Sequence, residues 1–248
     1  FLIAYIGIWA ISPKHLFADN LKDELWLVAG GVFGGSLYFF TENTALGITQ
    51  ASNVAFIICT APLLTTILSL LFYKSEKATK GLIYGSLLAL IGVGLVVFNG
   101  SVVLKLSPVG DLLTLLAALS WAFYSLVIKR MTGRYPTVFI TRKIFFYGVL
   151  TILPAFLLHP LQPDFDVLLQ PLVLSNLLFL AVLASLICYI LWNVVLKQLG
   201  TMRASNYIYL NPLVTMVASV LILHEQITWI TLMGAACIIL GVYLAEKK

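Results

Sequence analysis

Long apolar runs, parted by short polar or proline-bearing breaks, constrain this chain more than any other feature. Nine can be placed, at roughly 1–12, 26–46, 51–73, 80–98, 109–129, 140–158, 172–196, 204–223 and 228–245. A run of ~20 apolar residues matches the hydrocarbon core of a bilayer when wound as a helix. The breaks leave only short loops and no room for an extramembrane domain. Composition agrees. Of 248 residues, 61% are hydrophobic and 10% charged, against ~45–50% and ~25% in soluble domains. A water-soluble globular enzyme could not hide so much apolar surface. The net charge of +5 comes from 15 Lys and Arg with no dense basic run, which excludes a nucleic-acid binder. A porin-type barrel would alternate over ~10-residue segments, and these runs are continuous. The chain reads as an all-α integral membrane protein.

Its basic residues orient the spans. Lys14, Lys22, Lys74, Lys77, Lys80, Lys129, Arg130, Arg134, Arg142, Lys143, Lys197, Arg203, Lys247 and Lys248 fall on one side of the membrane. Only Lys105 falls on the other. A single miscounted span would scramble this alternation, so it supports the span count. The positive-inside rule puts the fourteen in the cytoplasm, together with the C-terminus. The run at 1–12 is too short to cross and begins at Phe1. No basic stretch precedes it and no cleavage site follows, so it reads as the back half of a span rather than a signal peptide.

The two halves of the chain align at an offset of 150. Pro13 matches Pro163, Asn43 matches Asn193, Pro62 matches Pro212, Thr65 matches Thr215 and Ser69 matches Ser219. One residue of slippage then pairs Glu76 with Glu225, Gly85 with Gly234, Gly92 with Gly241 and Val93 with Val242. The halves are 1–100 and 107–246. The second holds five spans and the first three and a half, which implies that roughly 40–45 residues of the first repeat precede Phe1 in the intact protein. Five is odd, so the second copy enters the membrane inverted. Inverted repeats are the plan of many secondary transporters, with the substrate near the midplane.

Particular residues then show a family likeness. The stretch Tyr38-Phe39-Phe40-Thr41-Glu42-Asn43-Thr44-Ala45-Leu46, with Ala51-Ser52-Asn53 and Ala61-Pro62, resembles the third and fourth spans of EamA-type permeases of the drug/metabolite transporter superfamily. Arg203-Ala204-Ser205, Asn211-Pro212, the link His224-Glu225-Gln226-Ile227-Thr228, and Gly234 with Gly241 repeat the pattern. Leu119-Ser120-Trp121-Ala122 resembles the opening span of such a repeat. The resemblance covers essentially the whole chain. It implies ten helices as two inverted five-helix repeats, of which about eight and a half spans are present here, a central cavity, and the inner membrane of a bacterium.

Glu42 is the carboxylate inside a span, and such a group is a functional candidate by default. Gly31, Gly35, Tyr38 and Glu42 follow at helical spacing and are expected on one face. Glu42 could bind an amino-bearing substrate group or cycle a proton; the alternative is a buried Glu bonded for structure. Asn43 and Asn193 are repeat-related and are expected as a symmetric pair. They, with Asn53, Asn206 and Asn211, could bind substrate or bond a neighbouring helix. Tyr189, Trp192 and Asn193 share a face, as do Trp121 and Tyr124 beside Ser120. Aromatics with polar tips line small-molecule pockets but also fill bundles and interface belts.

Pro62 and Pro212 are expected to kink matched spans. The pairs Gly81/Gly85 and Gly30/Gly34 read as packing seams. Cys59, Cys188 and Cys237 read as small apolar core residues. His15, His159 and His224 are single and loop-placed. No Walker, HExxH, GxSxG or zinc pattern is present, so neither a cofactor nor a metal is expected and an ion or solute gradient is the expected energy source. The reading is a secondary transporter in a bacterial inner membrane, an exporter of a small metabolite such as an amino acid. Protons are the candidate coupling ion, the bilayer and a solute are the partners, and a homodimer is compatible. A flippase of lipid-linked intermediates and an uptake permease are the alternatives. An integral-membrane enzyme would need a cluster of acids, His or Cys at one membrane face, and none is evident.

Overall fold

A computed structural model describes residues 1–11, 16–73, 77–98, 107–158, 165–218, 220–221 and 228–247, and every regular element among them is helical. The chain-order helices are α1 (Leu2–Ile11), α2 (Leu21–Gly31), α3 (Leu37–Ile48), α4 (Ala51–Ile58), α5 (Ala61–Phe72), α6 (Lys80–Phe98), α7 (Pro108–Thr132) and α8 (Thr137–Ile152). Then come the short α9 (Ala155–Leu158) and α10 (Phe165–Leu168), α11 (Pro171–Leu178), α12 (Cys188–Leu199), α13 (Thr201–Asn206), α14 (Asn211–Ala218) and α15 (Trp229–Glu246). Two π-helical turns, Val32–Ser36 and Phe179–Ile187, join α2 to α3 and α11 to α12; a 3-10 turn, Tyr207–Leu210, joins α13 to α14. The helices fall at the expected spans. Among the described residues, five stretches are long and apolar enough to cross a membrane: Ala51–Phe72, Lys80–Phe98, Pro108–Thr132, Pro171–Leu199 and Trp229–Glu246. Pro13, Pro163, Glu76, Glu225, Ser219, Lys14, Lys74, Lys105, Lys248, Gln226, Ile227 and the three histidines lie outside the described residues.

The chain forms two compact units, each drawing on both halves of the sequence: Phe1–Phe40 with Phe123–Gln198, and Thr41–Ala122 with Leu199–Lys248.

Glycine lets the helices of the first unit approach. A Cβ on Gly31 would lie 2.5 Å from the Tyr147 Cβ and 2.9 Å from the Gly148 nitrogen, so α2 and α8 meet backbone to backbone. Gly34 lies flat against the Tyr124 ring. Asn20 caps α2, accepting from the Asp23 amide at 2.8 Å. At that end the loop before α2 meets the loop after α7, where the Asp19 amide donates to the Tyr135 hydroxyl at 3.0 Å. Both loops carry basic residues in the alternation read from sequence.

In the second unit α6 and α15 run antiparallel, in contact along their length. A Cβ on Gly92 would lie 2.6 Å from the Gly234 carbonyl oxygen. Cys59, Ala89, Val93, Tyr209, Ile238 and Val242 form its buried core. The ends again sort by charge. Ser69, near the end of α5, bonds Thr201 at the start of α13 at 3.0 Å, and a Cβ on Gly81 would meet the Leu244 and Lys247 carbonyls. At the other end Thr49 donates to Asp111 at 3.5 Å, beside the Ser107 amide that Asp111 caps at 3.2 Å.

Pro62 and Pro212 each stand just after an irregular turn in their span: within Ala51–Phe72 α4 ends at Ile58 and Pro62 lies in the first turn of α5, where its missing N–H costs nothing, and Pro212 follows the 3-10 turn in the first turn of α14. Other expectations need correction. Cys59 is buried and Cys237 half-buried, but Cys188 is exposed, so only Cys59 is a core residue; an apolar thiol on an outward face is tolerated where the surroundings are lipid. Arg142 and Lys143, read as loop cations, belong to α8 and are 2% and 4% exposed.

Candidate functional site

The candidate residues divide between the units. Tyr38, Tyr124, Tyr189, Trp192 and Asn193 belong to the first; Glu42, Asn43, Asn53, Trp121 and Asn206 belong to the second.

In the first unit three of the five come together. The Tyr124 hydroxyl donates to Asn193 Oδ1 at 2.7 Å, and Asn193 Nδ2 donates to Thr141 Oγ1 at 2.9 Å. Thr141 passes the chain on to the Thr137 carbonyl at 2.9 Å. Tyr189 donates to the Gly34 carbonyl at 2.6 Å, and its ring centroid lies 6.0 Å from that of Tyr124 and 5.4 Å from that of Phe145. Tyr124, Tyr189 and Asn193 are all buried. Each polar tip is thus bonded to protein, the usual state of a buried polar group. Tyr38 and Trp192 are half-buried.

In the second unit Asn53 and Asn206 are buried. Ser86 donates to Asn206 Oδ1 at 2.9 Å, while Asn206 Nδ2 has no hydrogen-bond partner among the described residues. Trp121 and Glu42 are half-buried; Asn43, Thr44 and Asn211 are exposed. Asn43 and Asn193 therefore occupy unlike environments, and repeat symmetry in sequence does not extend to their burial. Of the expected face, Gly31 and Gly35 are buried and Tyr38 and Glu42 half-buried. Within Val32–Ser36 the Leu37 amide bonds the Val32 carbonyl, five residues back. The fully buried positions of α3 are Thr41 and Ala45, with Glu42 beside Thr41.

A charged cluster went unnoticed in the sequence. Asp23 and Glu24 stand in the first turn of α2, ahead of the apolar run that begins at residue 26. Arg134 grips Asp23 through Nη1, at 2.8 and 3.0 Å from its two oxygens, and Tyr135 donates to it at 3.1 Å. Glu24 pairs with Lys143 and accepts from the Tyr147 hydroxyl. Lys143 also donates to the Leu16 carbonyl at 3.0 Å. Burial pushes both carboxyls up in pKa. For Asp23, bonds from Arg134, Asn20 and Tyr135 and the Arg134 charge outweigh it; for Glu24, bonds from Lys143, Tyr147 and the Ala18 amide and the Lys143 charge do. Both therefore titrate below the ordinary carboxylate range. Arg142 lies over the rings of Trp9, at 4.6 Å, and Phe139, at 5.4 Å. The i, i+4 spacing of Phe139, Lys143 and Tyr147 was the available signal, masked by reading the cations as loop residues.

Among the described residues no group of His, Cys, Asp or Glu could hold a metal ion. What the molecule offers is a helical bundle with polar side chains inside apolar helices.

Comparison with known proteins agrees. A relative from Archaeoglobus fulgidus, described as an uncharacterized transporter, is 26% identical over 97% of this chain and 82% of its own length. The Bacillus subtilis transporter YyaM is 30% identical over 94% of this chain and 75% of its own. A protein of Salmonella typhimurium, named a probable amino-acid metabolite efflux pump, is 27% identical over 94% and 80%. One solved crystal structure superposes on 98% of this chain and 83% of its own with a TM-score of 0.77, at 18% identity, which shows the fold. The EamA-like transporter family matches residues 1–98 and again 108–246. An all-helical, multi-pass membrane transporter, this chain belongs to the EamA-like transporter family.

Proposed function

We propose that this chain is a secondary transporter that exports small metabolites of the amino-acid class by alternating access, its two EamA repeats, 1–100 and 107–246, forming the inverted halves. The carrying observation is that relatives from Salmonella typhimurium and Escherichia coli named as probable amino-acid metabolite efflux pumps align with 94% of the chain. On this reading the protein sits in the plasma membrane with its C-terminus in the cytoplasm, as the charge alternation argues.

The solute-facing surface is assigned to α3. Asn43 and Thr44 are exposed on a helix inside an apolar span, with Glu42 half-exposed beside them. Polar groups turned toward hydrocarbon are costly, so such a face belongs against a hydrated cavity. Glu42 is the coupling residue, taking a substrate ammonium or a proton; Tyr38 and Asn43 share its helix. Asn53, Trp121, Trp192 and Asn206 remain secondary contacts. Tyr124, Tyr189 and Asn193 spend their hydrogen bonds on protein and serve as scaffold.

The test is comparative extracellular metabolomics on cells expressing the intact protein, its Glu42→Gln variant, or neither. The expected result is an amino-acid-class solute that accumulates outside only with the wild type. Equal export by the variant with unchanged pH dependence removes Glu42 from the mechanism. No change in any solute overturns export and brings uptake or lipid flipping forward.

A further inference from the structure

One cation of the first unit is held in place without an anion. There α2, with the π-helical turn that follows it, runs antiparallel to residues 123–132 of α7 along a ladder of contacts. Phe33 stacks on Phe123, with ring centroids 5.2 Å apart. Gly34 lies against Tyr124, and a Cβ on Gly30 would lie 3.2 Å from Val127 Cγ1. Next along the ladder, Arg130 lies over the Trp26 ring, 4.7 Å from its centroid. The last rung is Arg134 on Asp23, at 2.8 Å. The two arginines stand four residues apart and differ in what they hold. Arg134 is committed to a carboxylate. Arg130 is half-exposed and makes no ion pair among the described residues, and its Nε is buried without a hydrogen-bond partner. The indole fixes one face of the guanidinium. Stacking of that kind leaves the edge of the planar fork, which is the part that recognises phosphate, free to bond.

The surroundings decide what kind of anion fits. Lys22 lies four residues before Trp26, on the same face of α2 and one turn nearer the basic end, and it is exposed. The neighbouring carboxylates of α2 are taken, Asp23 by Arg134 and Glu24 by Lys143. Lys22 and Arg130 therefore leave a local excess of positive charge. Trp26 opens the apolar run, and such rings settle at the headgroup level of a bilayer. Leu25, beside it, is exposed. A free phosphate makes no use of an exposed leucine, whereas an amphiphile does. We infer that the basic end of the α2–α7 seam is a binding site for an anionic phospholipid of the adjoining leaflet, with Arg130 holding the phosphate, Lys22 supporting it and Leu25 meeting an acyl chain. Basic pockets between spanning helices take such headgroups on the positively charged side of membrane proteins. The site shares no residue with the solute-facing surface proposed on α3 and does not depend on the solute.

The experiment reads lipid binding without reading transport. The full chain, purified in detergent, is titrated with phosphatidylglycerol or with zwitterionic phosphatidylcholine, and bound lipid is read by native mass spectrometry. Inorganic phosphate is the competitor. The wild type should take phosphatidylglycerol about fivefold more tightly than phosphatidylcholine, and inorganic phosphate should not displace it. Arg130→Gln should weaken phosphatidylglycerol about fivefold, the worth of one basic residue near a membrane surface, and leave phosphatidylcholine unchanged. Lys80→Gln removes an exposed cation from the second unit and should change neither. Unaltered affinity in Arg130→Gln overturns the inference. Equal weakening by Lys80→Gln also overturns it, because the attraction would then be diffuse. Displacement by inorganic phosphate would make this a free-anion site and overturns the lipid. Where Arg130→Gln does not fold, Lys22→Gln decides by the same criteria, since that side chain is exposed.

Discussion

Gly85 and Gly241 face each other backbone to backbone: a Cβ on Gly241 would lie 2.6 Å from the Gly85 carbonyl oxygen and 2.5 Å from the Ala89 nitrogen. Their counterparts at the repeat offset of 149, Gly234 and Gly92, make the same contact, with a Cβ on Gly234 falling 2.8 Å from the Gly92 oxygen. The core beside them obeys the same rule. Cys59 and Tyr209, Ala89 and Ile238, and Val93 and Val242 are three repeat-related pairs in one buried cluster. These seam and core contacts of the second unit thus map onto themselves when the halves are exchanged, as a two-fold axis between α6 and α15 would have it.

That symmetry makes a quantitative prediction. Gly92→Ala and Gly241→Ala place a methyl group in equivalent positions, each nearest a carbonyl oxygen and an amide nitrogen of the facing helix, which cannot yield as a flexible side chain would. Each should destabilise the protein by about 1–3 kcal/mol, and the two losses should agree more closely with each other than with that of Gly133→Ala, where a Cβ meets nothing within 4 Å. Thermal unfolding of the three variants in detergent decides it; unequal losses at Gly92 and Gly241 would count against the equivalence.

Asn206 supplies a second prediction. Its side chain is fully buried and bonded only through Oδ1, to Ser86. Ser86→Ala leaves both ends of the amide without a partner among the described residues. The expected cost is about 1–3 kcal/mol, the penalty for stranding a buried polar group. Replacing Asn206 by Leu in the same protein should return part of that loss, because the stranded amide is gone. A double variant less stable than the sum of the singles would contradict this account.

Most of the fold was legible because the bilayer dictates it. Span length and the alternation of Lys and Arg located the helices, and the Pro, Asn and Gly matches disclosed the repeat. The glycine seams at Gly30, Gly34, Gly81 and Gly85 were legible for the same reason, since close approach of helices demands small residues. Sequence periodicity was silent where the helix ceases to be regular. A 3.6-residue period gives no sign of the π-turn at Val32–Ser36. No residue type announces such a turn. Arg142 and Lys143 were misjudged for another reason: hydropathy counts them as a helix boundary, whereas their partners, Glu24 and the rings of Trp9 and Phe139, bring them inside. Asn43 and Asn193 show that a repeat conserves backbone path more faithfully than environment.

The last prediction concerns acid. Asp23 and Glu24 are held as carboxylates by Arg134, Lys143, Tyr135 and Tyr147. Their folded pKa values lie below the ordinary ones of about 4, so the folded state binds protons less readily than the unfolded. The stabilisation is then complete above about pH 4 and is withdrawn as pH falls through the lower folded values. Melting temperature in detergent should be flat from neutral pH down to that point and then fall. Asp23→Asn paired with Glu24→Gln should start lower and lose the acid-dependent part of the fall, since the titrating groups are gone. Lys143→Met tests the pair from the other side: it strands the Glu24 charge, so it should cost more than Lys143→Met combined with Glu24→Gln. An acid limb that persists unchanged in the Asn/Gln variant would place the titrating groups elsewhere in the molecule.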